Sequence, residues 1–253
     1  MTDYVTTPDG LRIAFDDVGQ GAPVVLVHGF GSDRTQNWKA PGWYDTLLAA
    51  GWRVVALDIR GHGESDKPRD PALYAQDLRV GDVLAVMDAA GLTSAPVMGY
   101  SMGGYIAIHL AKMHAARVGK LIVGGVGQTY FQDRENTLSG VAAALEAEDP
   151  ATIKDPVGLM FRRFVDQKGK DRLALAACMR GRRKTWPPSQ LAEISQKVLV
   201  VCGSADTLTG RPGPLAAAFP RGRAVVIERR DHMTSVGDKL YKQAVLDFLS
   251  EQD

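Results

Sequence analysis

Gly99-Tyr100-Ser101-Met102-Gly103 stands between a short apolar run, Ala95-Pro96-Val97-Met98, and the mostly apolar Tyr105-Ile106-Ala107-Ile108-His109-Leu110-Ala111. A strand that ends here must turn sharply into a helix, and the middle residue of such a Gly-x-Ser-x-Gly turn takes a strained backbone. Cβ groups at Gly99, Gly103 or Gly104 would obstruct the turn. The Ser101 hydroxyl is then presented above the sheet, at the positive end of the following helix. A plain Gly-Ser turn between strand and helix has the same composition, so the flanking chain must decide.

The flanks repeat the alternation. Pro23–Val27, Arg53–Leu57, Ala95–Met98, Val118–Val123, Lys197–Val201 and Ala224–Ile227 are continuous apolar runs of the kind found in buried parallel strands. Helical patterns fall between them: Val80, Val83, Leu84 and Met87 recur at i, i+3, i+4 and i+7 and stop at Gly91. Leu240, Ala244, Val245 and Phe248 form a last helical face. At the N-terminus, Tyr4–Thr7 and Leu11–Asp16 flank the turn Pro8-Asp9-Gly10 and read as a hairpin. The pattern is α/β, a mostly parallel sheet with helices on both faces.

One interval departs from it. From Gln128 to Pro188 there are helical stripes (Leu138, Val141, Ala142, Leu145; Val157, Met160, Phe161, Phe164; Leu173–Met179) and no strand pattern. Residues 128–188 therefore read as a helical cap inserted in a core made of 1–127 and 189–253.

Length and charge exclude several classes. At 253 residues the chain suits one α/β domain with a modest insertion, and 30 basic against 29 acidic residues give no field for nucleic acid or an anionic membrane. Apolar runs are strand-sized, and the first residues lack the pattern of a signal peptide, so a cytoplasmic protein is expected. Cys178 and Cys202 are far apart, without metal-ligand spacing, and read as buried free thiols.

A serine hydroxyl is a poor nucleophile at neutral pH and needs a positioned base. His232, in Arg229-Arg230-Asp231-His232-Met233 just after the last strand run, is the candidate. Asp206, three residues beyond the Gly203 that ends another strand, is the candidate acceptor for the imidazole Nδ1 proton. Ser101, Asp206 and His232 each follow an expected strand, in the order serine, acid, histidine. His28-Gly29-Phe30-Gly31 follows the Pro23–Val27 strand, and its glycine lets the chain bend close to the serine. The backbone N–H groups of Phe30 and Met102 are the candidate pair for an oxyanion.

His28-Gly29-Phe30-Gly31, the loop Asp58–Asp66, Gly99–Gly104, Gly203-x-x-Asp206 and Asp231-His232 together resemble the α/β-hydrolase superfamily, over roughly Tyr4 to Leu249. The resemblance implies an eight-stranded, mostly parallel sheet and a Ser-His-Asp triad that uses no cofactor and no metal. In the same family the Asp58–Asp66 loop is chiefly structural, so His62 and His28 are read as framework. Serine at 101 excludes relatives with an aspartate nucleophile, such as haloalkane dehalogenases and epoxide hydrolases. Carbon–carbon bond hydrolases usually carry Asn where Tyr100 stands and Trp where Met233 stands, and both departures count against that reading. Esterases, enol-lactonases and haloperoxidase-like members remain.

The expected substrate is a small to moderate carboxylic ester or lactone. Acyl transfer or carbon–carbon bond hydrolysis on the same triad, or a ligand receptor with little turnover on the same fold, are the alternatives. Walls for the substrate are sought in Phe30, Tyr100, Met102 and Met233 below, and in Tyr130, Phe131, Met160, Phe161, Phe164 and Trp186 of the cap. Their bulk predicts a narrow pocket for short acyl chains. The basic cluster Arg180, Arg182, Arg183 and Lys184 reads as a solvated rim or as one arginine turned inward onto a substrate carboxylate.

Overall fold

The computed structural model describes residues 2–167 and 169–252. Its strands are β1 (Asp3–Thr6), β2 (Arg12–Val18), β3 (Pro23–Val27), β4 (Arg53–Leu57), β5 (Ala95–Tyr100), β6 (Val118–Gly124), β7 (Lys197–Gly203) and β8 (Gly222–Ile227). They form one sheet in the order β1-β2-β4-β3-β5-β6-β7-β8. β2 pairs antiparallel with β1 and β4, and the remaining pairs are parallel.

The strands read as unbroken apolar runs because both faces of the sheet are covered. Val25, Val27, Val55, Val97, Leu121 and Val123 point into a core shared with α2 (Gln76–Ala89) and α3 (Met102–Met113). The alternate residues Val24, Leu26, Val54, Met98 and Ile122 pack against α1 (Trp43–Ala49) and α9 (Lys239–Ser250) on the other face. Each such side chain, fully buried, contributes about 1.5–3 kcal/mol.

β3 lies between β4 and β5, so the chain leaves β3 in one direction and leaves β4 in the other. That reversal opens a crevice at the carboxyl ends of β3 and β5, where ligands bind in open α/β sheets. The His28–Phe30 loop and Ser101 emerge on its two sides.

Between β6 and β7 the ordered elements are helical: short 3₁₀ turns, α4 (Glu135–Glu146), α5 (Pro156–Val165), α6 (Arg172–Arg180) and α7 (Pro188–Leu191). α8 (Gly213–Ala216) follows β7. α4 packs on both α5 and α6, and α6 rests on the Pro71–Tyr74 turn of the sheet-bearing part. Aspartate side chains start two of these helices, Asp155 accepting the Val157 and Gly158 N–H groups and Asp171 those of Leu173 and Ala174. α5 departs from the expected burial. Its buried residues are Gly158, Arg162 and Val165, while Met160, Phe161 and Phe164 on the apolar stripe are only partly covered. Arg162 is held inside by Asp166 at 2.8 Å and by the Ala144 and Ala147 carbonyls. No helix among the described residues is long and apolar enough to cross a membrane. Cys178 and Cys202 are buried and free.

Candidate active site

β5 ends at Tyr100, and Ser101 takes φ 51° and ψ −117° before α3 begins at Met102. This is a left-handed position for a non-glycine residue, and it is held from both sides. The Ser101 N–H donates to the Gly124 carbonyl of β6 at 2.8 Å, and the Ser101 carbonyl accepts from the Gly104 N–H at 2.8 Å. A Cβ at Gly99 would run into the Gly103 carbonyl, and one at Gly103 into the Val27 and His28 carbonyls. These are backbone atoms and cannot step aside.

The structure brings Ser101, His232 and Asp206 together. His232 Nε2 lies 3.0 Å from Ser101 Oγ, and its Nδ1 lies 2.8 Å from Asp206 Oδ2. The Asp206 side chain is fully buried and the His232 side chain is 11% exposed, so water has little access to the pair. Asp206 also accepts the Thr209 hydroxyl at 2.7 Å on Oδ2, and the Leu208 and Thr209 N–H groups at 3.0 and 3.1 Å on Oδ1. Burial pushes this carboxyl up, but the bonds from His232 and Thr209 outweigh it and hold Asp206 below its ordinary value. Thr209 escaped the sequence reading, although a threonine three residues after a loop aspartate is a common turn partner.

The His232 loop is fixed by its neighbours. Asp231 Oδ1 accepts the Met233 and Thr234 N–H groups at 3.0 and 2.8 Å. The Tyr100 hydroxyl donates to the His232 carbonyl, so the residue before the serine also tethers the histidine.

The Gly29 N–H donates to Asn37 Oδ1 at 2.9 Å, and a Cβ on Gly29 would stand 3.4 Å from Ser101 Cβ. The loop backbone thus abuts the serine. Among the described residues, neither the Phe30 nor the Met102 N–H has a hydrogen-bond partner within the chain. His28 pins the loop: its Nδ1–H donates to the Gly29 carbonyl at 2.7 Å, and Nε2 accepts the Ile59 N–H at 3.0 Å. Burial lowers the pKa of His28 and lowers that of His62 further, so both serve as neutral framework groups.

Above the triad lies a cavity of about 730 Å³. Of the expected walls, Phe30, Tyr100, Met160, Phe161, Phe164 and Met233 line it; Leu208, Val236 and Pro41 do as well, without having been foreseen. Met102, Tyr130, Phe131 and Trp186 do not; the Met102 side chain is buried in the core. Tyr130 stacks on Tyr105, and Trp186 stacks on His109 with ring centroids 5.4 Å apart. Tyr105 and His109 stand one and two turns along α3 from Ser101, which carries those aromatics away from the nucleophile. Phe131 packs edge-on against Tyr130 and follows it. The basic cluster is also elsewhere: Arg180 pairs with Glu146 at 2.6 Å, Lys184 lies over the Trp186 ring, and none of the four cations faces this cavity. The charged residues that do line it, Arg230 and Asp238, pair with each other at 2.6 Å. The cavity is in effect neutral.

A serine beside a buried His–Asp pair, with two free amides at its flank, is equipped for acyl chemistry. Comparison with known proteins agrees at the level of fold and class. A family described as "alpha/beta hydrolase fold" matches residues 22–160. The dihydrolipoyllysine-residue acetyltransferase component of the acetoin cleaving system from Cupriavidus necator is 33% identical over 90% of this chain. The chain spans 63% of that relative's length. A hydrolase from Pseudomonas aeruginosa superposes with a TM-score of 0.80 at 26% identity, covering 99% of this chain and 98% of that one. A thermophilic esterase from Thermogutta terrifontis does so with a TM-score of 0.78 at 26% identity, covering 98% of each. With this sheet order, this turn and these relatives, the chain is a member of the α/β-hydrolase superfamily.

Proposed function

We propose that the protein is a serine hydrolase of small to moderate, uncharged carboxylic esters or lactones. The observation that carries this reading is the continuous hydrogen-bonded line from Ser101 Oγ through His232 to Asp206. His232 Nε2 takes the proton as Ser101 Oγ attacks the carbonyl carbon, and Asp206 holds the imidazole in the tautomer that leaves Nε2 free. The Phe30 and Met102 amides receive the developing oxyanion; one such donor is worth about 3 kcal/mol. His232 returns the proton to the leaving alkoxide, and water then cleaves the acyl-enzyme by the same steps in reverse order. The apolar walls and the paired Arg230–Asp238 favour a neutral substrate, because among the described residues a carboxylate placed there finds no free cation. The helices from Gln128 to Pro188 act as the cap, with α5 supplying the upper wall.

A fluorophosphonate probe tests the reading. It should label the wild-type chain and fail on Ser101→Ala; labelling that persists would put the nucleophile elsewhere. The acetyltransferase named among the relatives supports a second reading, in which an alcohol or thiol takes the acyl group in place of water. Product analysis with added acceptors separates the two.

A further inference from the structure

Of the four buried arginines among the described residues, three have carboxylates: Arg34 meets Asp16 and Asp58, Arg60 meets Asp9 and Asp82, and Arg162 meets Asp166. Arg79 is fully buried and has none. Its Nη1 reaches only Cys178 Sγ, at 3.8 Å, and its Nε and Nη2 have no partner. A thiol is a weak acceptor, and a buried guanidinium left this way is costly.

The neighbours repeat the shortage. Gln76, three residues earlier on α2 and 4% exposed, leaves Nε2 without an acceptor. Its N–H donates to the Arg182 carbonyl at 3.0 Å, which brings the 181–185 segment onto the start of α2. Arg183 in that segment leaves Nε unpartnered and sends Nη2 to Met179 Sδ at 3.4 Å. Burial, and then the charge of Arg79, push Arg183 down to about 10. Arg79 also lies in the first turn of α2, at the positive end of the helix dipole. The acid of that turn, Asp77, is taken by His109 at 2.6 Å.

Arg183 lines a second cavity of about 760 Å³, together with Arg134, Arg182 and Tyr105. The carboxylates at its rim, Asp133 and Glu135, are exposed, and Asp133 already accepts the Glu135 N–H at 2.9 Å. Arg79 and Gln76 do not line this cavity but lie behind Arg183 at the start of α2, and among the described residues none of the three side chains donates to an oxygen. This seam is separate from the Ser101 cavity. Cys178 Sγ, which touches Arg79, lies 3.9 Å from Sδ of Met102, the residue after Ser101.

We propose that the seam between the start of α2 and the 181–185 segment is a second ligand site, which takes a phosphate dianion through Arg79, Arg183 and Gln76. Two guanidinium charges match a dianion, and planar forks of N–H donors suit its oxygens. The adjoining cavity is far larger than a phosphate ion and has room for the remainder of a small phosphate ester.

Titration calorimetry of the intact protein, at fixed ionic strength, tests this with inorganic phosphate and with glycerol phosphate, against chloride. One saturable site for phosphate is expected, and none for chloride. Tighter binding of the ester assigns the site to phosphorylated small molecules; equal or weaker binding assigns it to the free ion. Arg183→Gln should weaken phosphate about tenfold or more, and Arg79→Gln should abolish the site. Arg79 is fully buried, so folding of that variant is checked by circular dichroism; if it fails to fold, half-buried Arg183→Gln decides alone. Wild-type protein with no saturable heat for either phosphate, or Arg183→Gln with unchanged affinity, would overturn the proposal.

Discussion

Replacing Asp206 by Asn isolates what the acid does for the histidine. Oδ1 faces two backbone N–H donors, from Leu208 and Thr209, whereas Oδ2 faces His232 Nδ1 and a threonine hydroxyl that can rotate. The amide oxygen of Asn must occupy the first position, because an NH₂ there would meet two donors. Its NH₂ then points at His232 Nδ1, which becomes an acceptor. The ring proton moves to Nε2, directed at Ser101 Oγ, and the imidazole has no lone pair left for the serine proton. The packing hardly changes, yet kcat should fall about 10⁴-fold, or about 5 kcal/mol in barrier. Steady-state hydrolysis of an activated ester measures the loss, and ¹⁵N NMR of the imidazole reads the tautomer. If Asp206→Asn keeps kcat within about tenfold of wild type, or shows an unchanged tautomer, the assignment of Asp206 fails.

Four further outcomes are expected. Gly103→Ala should destabilise the chain by about 3 kcal/mol or more, since the new Cβ meets the Val27 and His28 carbonyls; wild-type urea midpoints would contradict this. Phe161→Ala should alter the kcat/KM ratio between short and long acyl esters about tenfold, because Phe161 lines the Ser101 cavity. Trp186→Ala should leave that ratio alone and cost about 3–5 kcal/mol in stability, because Trp186 is buried against His109; a changed ratio would return Trp186 to the substrate. The carboxyl of Asp206 titrates below its ordinary 3.8, so its contribution is complete above that pH and is lost as pH falls through the folded value. The stability gap between wild type and Asp206→Asn should therefore narrow in acid, and a constant gap by urea unfolding would refute the shift.

The strand centres were legible because residues covered on both faces are apolar without interruption. Their carboxyl ends were not. β5 continues through Gly99 and Tyr100, and β7 through Cys202 and Gly203, beyond the apolar runs that mark them. Small and polar residues gather where the site needs close approach and hydrogen bonds, so hydropathy fades while the ladder continues. The edge strand β8 begins at Gly222-Arg223, exposed and without a pattern to announce it. Ser101, Asp206 and His232 could be placed from local turn chemistry alone. The walls could not, because which aromatic faces the cavity depends on partners such as Tyr105 and His109 on α3. Arg79 was hidden for a related reason: an arginine beside Val80 and Val83 on a helix looks like a solvated neighbour until the opposite surface is known.

The placement of the walls relative to the triad has a consequence for descent and for engineering. Ser101, Asp206 and His232 hang from β5, β7 and β8, whereas Met160, Phe161 and Phe164 come from one helix in the stretch between β6 and β7. On the proposed reading, the upper wall is thus written in a separate passage of the chain from the triad, while Tyr100, Leu208 and Met233 wall the cavity from beside it. Mutations can accumulate along α5, or the stretch can be exchanged between relatives, while the strand ends keep the hydrogen-bonded line of Ser101, His232 and Asp206 in place. A library confined to that helix would sample new preferences on a constant reaction centre, and lineages that share the sheet are free to diverge in diet before they diverge in chemistry.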